Sequence, residues 1–344
     1  MLIIRILPAF FLIFLFNISL WAEEGGEKIR FLMVGNSFSR NASQYLPGLA
    51  RAAGKELVLE NAMLGGCSLQ RHVEGIKAYE ADPEGEKGRI YSKGSLKQAH
   101  GKAGRSLKDL LVLEPWDYVS IQQVSTLSFK EESYEPYAQF LVEFIHKFAP
   151  KAKLLVHQTW AYREDNPLLR KASLTPETMY SALSAAYAKL ARAYAAEIVP
   201  VGLAFHTARQ TERWTFHYPD PHFDYTAPAR GELPEEKGSL HVGWGWKMVK
   251  GKPDPVFKLD AKHANREGQY LGACVFFEVL FGKSVVGNSF VPEGIVPDDA
   301  RMLQEIAHAA VAQFRAKPEV LLTGNVALPE RGLLPASKGE QSVQ

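Results

Sequence analysis

Gly35-Asn36-Ser37-Phe38-Ser39 sets a serine hydroxyl directly behind an apolar run, residues 29–34, that reads as a buried strand. A serine on a glycine-flanked turn at the end of such a strand is well placed to be an exposed nucleophile. Far along the chain, Asp260-Ala261-Lys262-His263 puts a carboxylate three residues before a histidine. At that spacing Asp260 can hold one ring nitrogen of His263 while the other faces a hydroxyl. In the order Ser, Asp, His these are the parts of a nucleophilic hydrolase. Each also has a plainer reading. Ser37 could cap a helix or sit in a turn, and His263 could bond a backbone carbonyl at the start of a helix.

Two further pieces fall between them: Gly65-Gly66-Cys67-Ser68, and a glutamine pair in Ile121-Gln122-Gln123-Val124-Ser125 at the end of a third apolar run. The ordered set resembles the SGNH (GDSL-like) hydrolase superfamily. More narrowly it is similar to a branch catalogued as a domain of unknown function, with Gly-Asn-Ser-Phe in place of Gly-Asp-Ser-Leu. The resemblance runs over roughly residues 29–281 and implies a three-layer α/β/α sandwich around a five-stranded parallel sheet, flavodoxin-like in arrangement. It implies ester hydrolysis through an acyl-enzyme, with Ser37 as nucleophile, His263 as base and Asp260 as its orienting acid. The Ser37 N–H and that of Gly66, with Gly65 as a close alternative, would bind the oxyanion. An asparagine is expected after the third strand as the remaining donor, and this chain has none there. A glutamine amide could serve from one methylene further out, Gln123 first and Gln122 beside it. Loss of such a donor costs about 3–4 kcal/mol of transition-state stabilisation.

The implied substrate is a small-molecule or polysaccharide ester, foremost an O-acetyl ester of a carbohydrate, and the chemistry needs no cofactor. The rival reading is a carbohydrate-binding protein on a hydrolase scaffold, its catalysis weak or lost with the missing asparagine.

The elements that must position these groups follow from hydrophobic periodicity. Strands are expected at residues 29–34, 56–61, 118–122, 153–157 and 197–201, and helices at 44–53, 134–148, 175–196, 268–281 and 297–314. This alternation argues for a parallel sheet covered by helices. Asp260 and His263 are expected on a loop after the fifth strand, opening at the same sheet end as Ser37.

Residues 206–259 break the rhythm with a Pro-, Gly- and aromatic-rich excursion. Trp244 and Trp246 within it, and Trp160 after the fourth strand, are candidate substrate contacts. The alternative is that the excursion's aromatics form a small core of their own and that Trp160 is simply buried in the main core. His217, Asp220, His222 and Asp224 have donor types that could hold a divalent ion. Two prolines stiffen that segment and no further cluster completes a ligand pattern, so a polar turn is the reading adopted and no metal is expected.

Composition bounds the rest. The chain has 344 residues, 46% hydrophobic and 23% charged, enough for a large core. With 40 basic and 38 acidic residues well mixed, nucleic acid is a poor partner. Residues 1–22 combine one early cation with a nearly continuous apolar stretch and read as a secretory signal, so export to the periplasm or beyond is expected, with an uncleaved anchor as the alternative. No stable membrane insertion is expected after cleavage. The hydrolase domain is placed at 27–316 and a flexible polar tail at 317–344. Cys67 and Cys274 could form one disulfide or stay as buried thiols.

Overall fold

The computed structural model describes residues 27–91, 104–218 and 220–316. The expected signal segment 1–22 and tail 317–344 lie outside the described residues.

Five strands, β1 (Lys28–Gly35), β2 (Glu56–Met63), β3 (Tyr118–Ile121), β4 (Lys153–His157) and β5 (Glu197–Val199), form one parallel sheet ordered β2-β1-β3-β4-β5. Residues 31–34 of β1 and 154–156 of β4 are continuous buried apolar runs because helices cover both faces there, whereas edge strand β2 is only partly buried. Phe31, Leu32, Met33 and Val34 of β1 are all buried. Val34 stands level with Ala62 on one side and Ile121 on the other. The chain leaves β1 between its two neighbours at the point where the strand order reverses. In sheets of this kind ligands bind in the crevice beyond the strand ends at that point.

The helices are α1 (Ser37–Ser43), α2 (Leu46–Ala52), α3 (Leu69–Ala81), α4 (Leu107–Leu111), α5 (Tyr137–Phe148), α6 (Pro167–Lys171), α7 (Pro176–Ala193), α8 (Val201–Ala208), α9 (Arg266–Phe281) and α10 (Pro297–Ala316). One group, α1, α2, α8 and α10, packs about the buried α9, and a second, α3, α4 and α5, packs together, so that the sheet is flanked by helices. This is the α/β/α architecture expected. Caps written in the sequence fix the ends. Thr175 and Thr178 form a reciprocal capping box ahead of Pro176, Asn265 accepts from Gly268 N–H, and Gly282 ends α9 at φ +62°. A Cβ at Gly272 would lie 3.0 Å from Ala42 Cα, so α9 and α1 touch nearly backbone to backbone.

Two elements differ from expectation. The first helix begins at Ser37 rather than near residue 44, because Asn36 caps it. The excursion contains an antiparallel hairpin, β6 (His241–Lys247) and β7 (Val256–Ala264), separate from the main sheet. Asp260 and His263 therefore stand on a strand and not on a loop. Phe257-Lys258-Leu259-Asp260 alternates as a strand should, but the glycines of β6 obscure its partner.

The rest of the excursion supplies its own small core. Trp244 stacks on Phe257 at 4.7 Å, and Tyr225, Phe223 and Trp246 surround them. Buried Arg163 ties this unit to the sheet domain. Its guanidinium bonds Asp165 and Ser239, pairs with Glu236 and stacks on Phe216 at 4.1 Å, while the Arg163 backbone N–H donates to Ala261 O.

Candidate active site

Ser37 is the first residue of α1, immediately beyond the end of β1. Its Oγ lies 2.9 Å from His263 Nε2, across 226 residues of chain. His263 Nδ1 lies 3.0 Å from each Asp260 oxygen, and the His263 backbone N–H donates to Asp260 Oδ1 at 3.2 Å. With the proton on Nδ1 directed at the carboxylate, Nε2 presents a lone pair to the serine hydroxyl. The three side chains singled out in the sequence are thus in one line.

Three contacts hold this line across the fold. Asn41 of α1 accepts from Ala264 N–H at 3.3 Å. Trp160, fully buried, stacks between Phe38 at 4.3 Å and Phe205 at 4.7 Å, and its indole N–H donates to Lys262 O at 2.9 Å. Of the two readings of Trp160, pocket wall or core burial, its burial favours the second, and it acts as a clamp between α1 and β7. Trp244 and Trp246 depart from expectation. Gly243 is the cross-strand partner of Asp260, so the intervening tryptophans face the other side of the hairpin, toward Phe257 and Tyr225.

The Gly65-Gly66 segment is a tight turn beside Ser37. Cys67 N–H donates to Leu64 O, and Gly66 adopts φ +66°, a left-handed conformation that favours glycine. The turn is laced to both residues preceding the serine: Leu64 N–H donates to Gly35 O, and Asn36 Nδ2 donates to Cys67 O at 3.0 Å. Among the described residues the backbone N–H groups of Ser37, Gly65 and Gly66 have no partner, and both glycines are exposed. They are free to meet a developing negative charge.

The glutamines do not complete that set. Gln123 is fully buried, and its amide donates to Ser133 O at 2.9 Å while its oxygen accepts from Leu69 and Val124 N–H. It ties the end of β3 to the start of α3. Gln122 sends its amide to Asn36 Oδ1 at 2.8 Å. Both expected donors are therefore engaged elsewhere. A side chain leaving a strand end points where the next backbone turn sends it, which a residue count cannot reveal. Asn36, the residue before the serine, is the hub: Oδ1 also accepts from Phe38 N–H, giving α1 its cap.

Partial burial pushes the Asp260 carboxyl up, but the His263 ring bond and charge and the Lys247 bond outweigh it, and the group sits well below the usual carboxylate range. It is ionised at neutral pH. Burial pushes the Cys67 thiol up to about 12, so it is no competing nucleophile, and Cys67 and Cys274 are both free thiols. Among the described residues no group of three or more His, Cys, Asp or Glu is placed to hold a metal ion. Asp220 caps His222 and Glu235 N–H groups, and Asp224 caps Thr226 and Ala227, as turn residues do. No helix of the described residues is long and apolar enough to cross a membrane.

A family described as a domain of unknown function, DUF4886, matches residues 30–225, more than half of the chain. The chain belongs to this family. A crystal structure of a DUF4886 family protein from Bacteroides uniformis ATCC 8492 is 27% identical to it, over 83% of this chain and 95% of that one, with a TM-score of 0.63. More distant is a proposed SGNH hydrolase from Slackia heliotrinireducens, 19% identical over 73% and 98% of the two chains, TM-score 0.44. Phospholipase A1 from Streptomyces albidoflavus NA297 is 12% identical over 74% and 98%, TM-score 0.36. A search of curated proteins returns no match. DUF4886 is thus the branch that the motifs implied, and the sheet order of this member is the architecture expected from them.

Proposed function

We propose that this DUF4886 protein is an exported serine esterase that hydrolyses small-acyl esters, O-acetyl esters foremost. The observation that carries the reading is the unbroken relay from Ser37 Oγ through His263 to Asp260, at 2.9 and 3.0 Å. His263 Nε2 takes the Ser37 proton as Oγ attacks the ester carbonyl. The oxyanion forms beside the free N–H groups of Ser37 and Gly66, with Gly65 adjacent. The same Nε2 proton then goes to the departing alkoxide, leaving an acyl-serine. A water molecule repeats the cycle, giving its proton to His263 and its oxygen to the acyl carbon, and Ser37 regains its hydrogen as the acid leaves.

Asp260 keeps the imidazole in the required tautomer and stabilises its protonated form. Export is supported by the apolar N-terminal segment. The tryptophans expected to stack a sugar turn away from Asp260, so the ester is the firmer half of the reading and a carbohydrate alcohol the half for a substrate panel to decide.

The test is hydrolysis of an aryl acetate and of acetylated sugars by wild type and Ser37→Ala, with fluorophosphonate labelling of both. Ser37→Ala should lose about ten-thousand-fold in kcat and all labelling. Equal rates for the two proteins, or binding of acetylated sugars with no turnover and no labelling, would overturn the proposal.

A further inference from the structure

One contact of the relay has no part in the scheme above: Lys247 Nζ donates to Asp260 Oδ2 at 3.0 Å. The hairpin is built for this contact. Gly243 pairs with Asp260 across the strands, and Gly245 and Lys247 follow at every second position, so all four share one face. Gly243 is covered by the Glu236 carboxylate, but at Gly245 that face of β6 is bare, and a Cβ there would meet nothing within 4 Å. The lysine stem can therefore lie back along the strand to reach the carboxylate. The Lys247 side chain is 36% exposed and that of Asp260 17%, so the ammonium is held at the edge of solvent rather than fully hydrated.

We propose that Lys247 is a positioning residue of the Ser37–His263–Asp260 relay: it fixes the plane of the Asp260 carboxylate and draws part of its charge away from His263, which moves the acid limb of activity to lower pH. The inference rests on the serine-esterase reading. The carboxylate has two claimants of opposite consequence. Each His263 protonation must be supported by an anion already half-engaged by the lysine, so the neutral, proton-accepting ring is favoured.

Other charged groups also stand around β7, and Lys258, opposite Gly245 on the Asp260 face, is exposed to solvent. From β6, His241 is buried and bonded to Arg209, which caps the end of α8. From the segment after β4, Arg163 is met by Asp165 and Glu236. Arg40 of α1 is exposed to solvent, and Arg266 of α9 packs toward Gly294. Lys262, also on β7, is partly exposed. Consistent with this, His263 and Lys247 are the groups that set the ionisation of Asp260 against its burial.

The experiment compares wild type, Lys247→Met and Lys247→Arg as full chains. The His263 imidazole is titrated by NMR, and kcat/KM for an aryl acetate is followed against pH. Lys247→Met should raise both the imidazole midpoint and the acid limb by about half a unit to one unit. It should lower kcat/KM at pH 6 about three- to tenfold relative to pH 8.5, while Lys247→Arg restores both. The shift should shrink in high salt, because the lysine is partly exposed. A Lys247→Met midpoint within about 0.2 unit of wild type would overturn the proposal, whatever the rates. A shifted midpoint in a protein without Ser37-dependent turnover would instead sink the esterase reading and leave the lysine coupling standing.

Discussion

Asn36 uses its amide in three directions at once, and each direction bears on Ser37. Oδ1 accepts from Phe38 N–H and from Gln122, while Nδ2 donates to Cys67 O. The side chain thereby fixes the start of α1, the end of β3 and the Gly65-Gly66 turn relative to one hydroxyl. Asn36→Ala removes all three bonds in a buried place, at a cost of about 2–3 kcal/mol. Because the turn is then free to drift from the serine, kcat should fall at least about tenfold, the scale of a displaced oxyanion donor. Gln123→Leu is the contrasting case. It strips the bonds to Ser133, Leu69 and Val124, so its melting temperature should fall while kcat of the folded enzyme, measured well below that melt, stays near wild type. A large kcat loss in Gln123→Leu would restore it to the oxyanion site. Ser37, Asp260 and His263 were legible because their side-chain chemistry is rare in that order. The aim of Gln123 and the reach of Lys247 were not, since both depend on backbone direction that sequence spacing does not encode.

At the scale of elements, the strands of the main sheet were visible as short apolar runs, clearest in β1 and β4 where both faces are buried and weaker at edge strand β2, where Glu60 and Asn61 interrupt it. Helix α1 was not, because Ser37-Phe38-Ser39-Arg40-Asn41-Ala42-Ser43 has few apolar residues and is stabilised by its cap and by close contact with α9 rather than by its own periodicity. The β6–β7 hairpin hid behind glycines that serve the Asp260 face. What the elements must achieve is registration: α1 brings Ser37, β7 brings His263, and nothing in the sheet joins them directly. Trp160 does so by stacking on Phe38 while bonding Lys262 O. Trp160→Phe keeps the stack and drops the bond. Stability should fall by about 1 kcal/mol, and kcat should fall a few-fold with KM unchanged, since the relay loosens while the substrate surface is untouched. Steady-state kinetics on the variant decide this, and a change confined to KM would place the indole in the substrate site after all.

For the molecule as a whole, the same packing that seats the site buries histidines with no means of charging. His157 is fully buried at the end of β4 against Phe276, both ring nitrogens lack a partner among the described residues, and burial pushes it down to about 3. Burial likewise lowers His72 to about 4 and holds His241 well below its ordinary value. For a histidine so depressed, the unfolded chain binds the proton first. Stability is therefore complete above the unfolded value near 6.5 and is lost as pH falls from there toward the folded values. Asp260, whose folded value is lowered, adds its loss only below the ordinary carboxylate range, so the window from pH 6.5 to 4 belongs to the histidines. At pH 5 one group like His157 costs about 2 kcal/mol. His157→Leu, of similar volume, removes both the unpaired nitrogens and this penalty. Urea unfolding should show the variant about 1–3 kcal/mol more stable than wild type at pH 8, with the gap wider by about 2 kcal/mol at pH 5. A gap that is the same at both pH values would mean that His157 is not held neutral in the native fold.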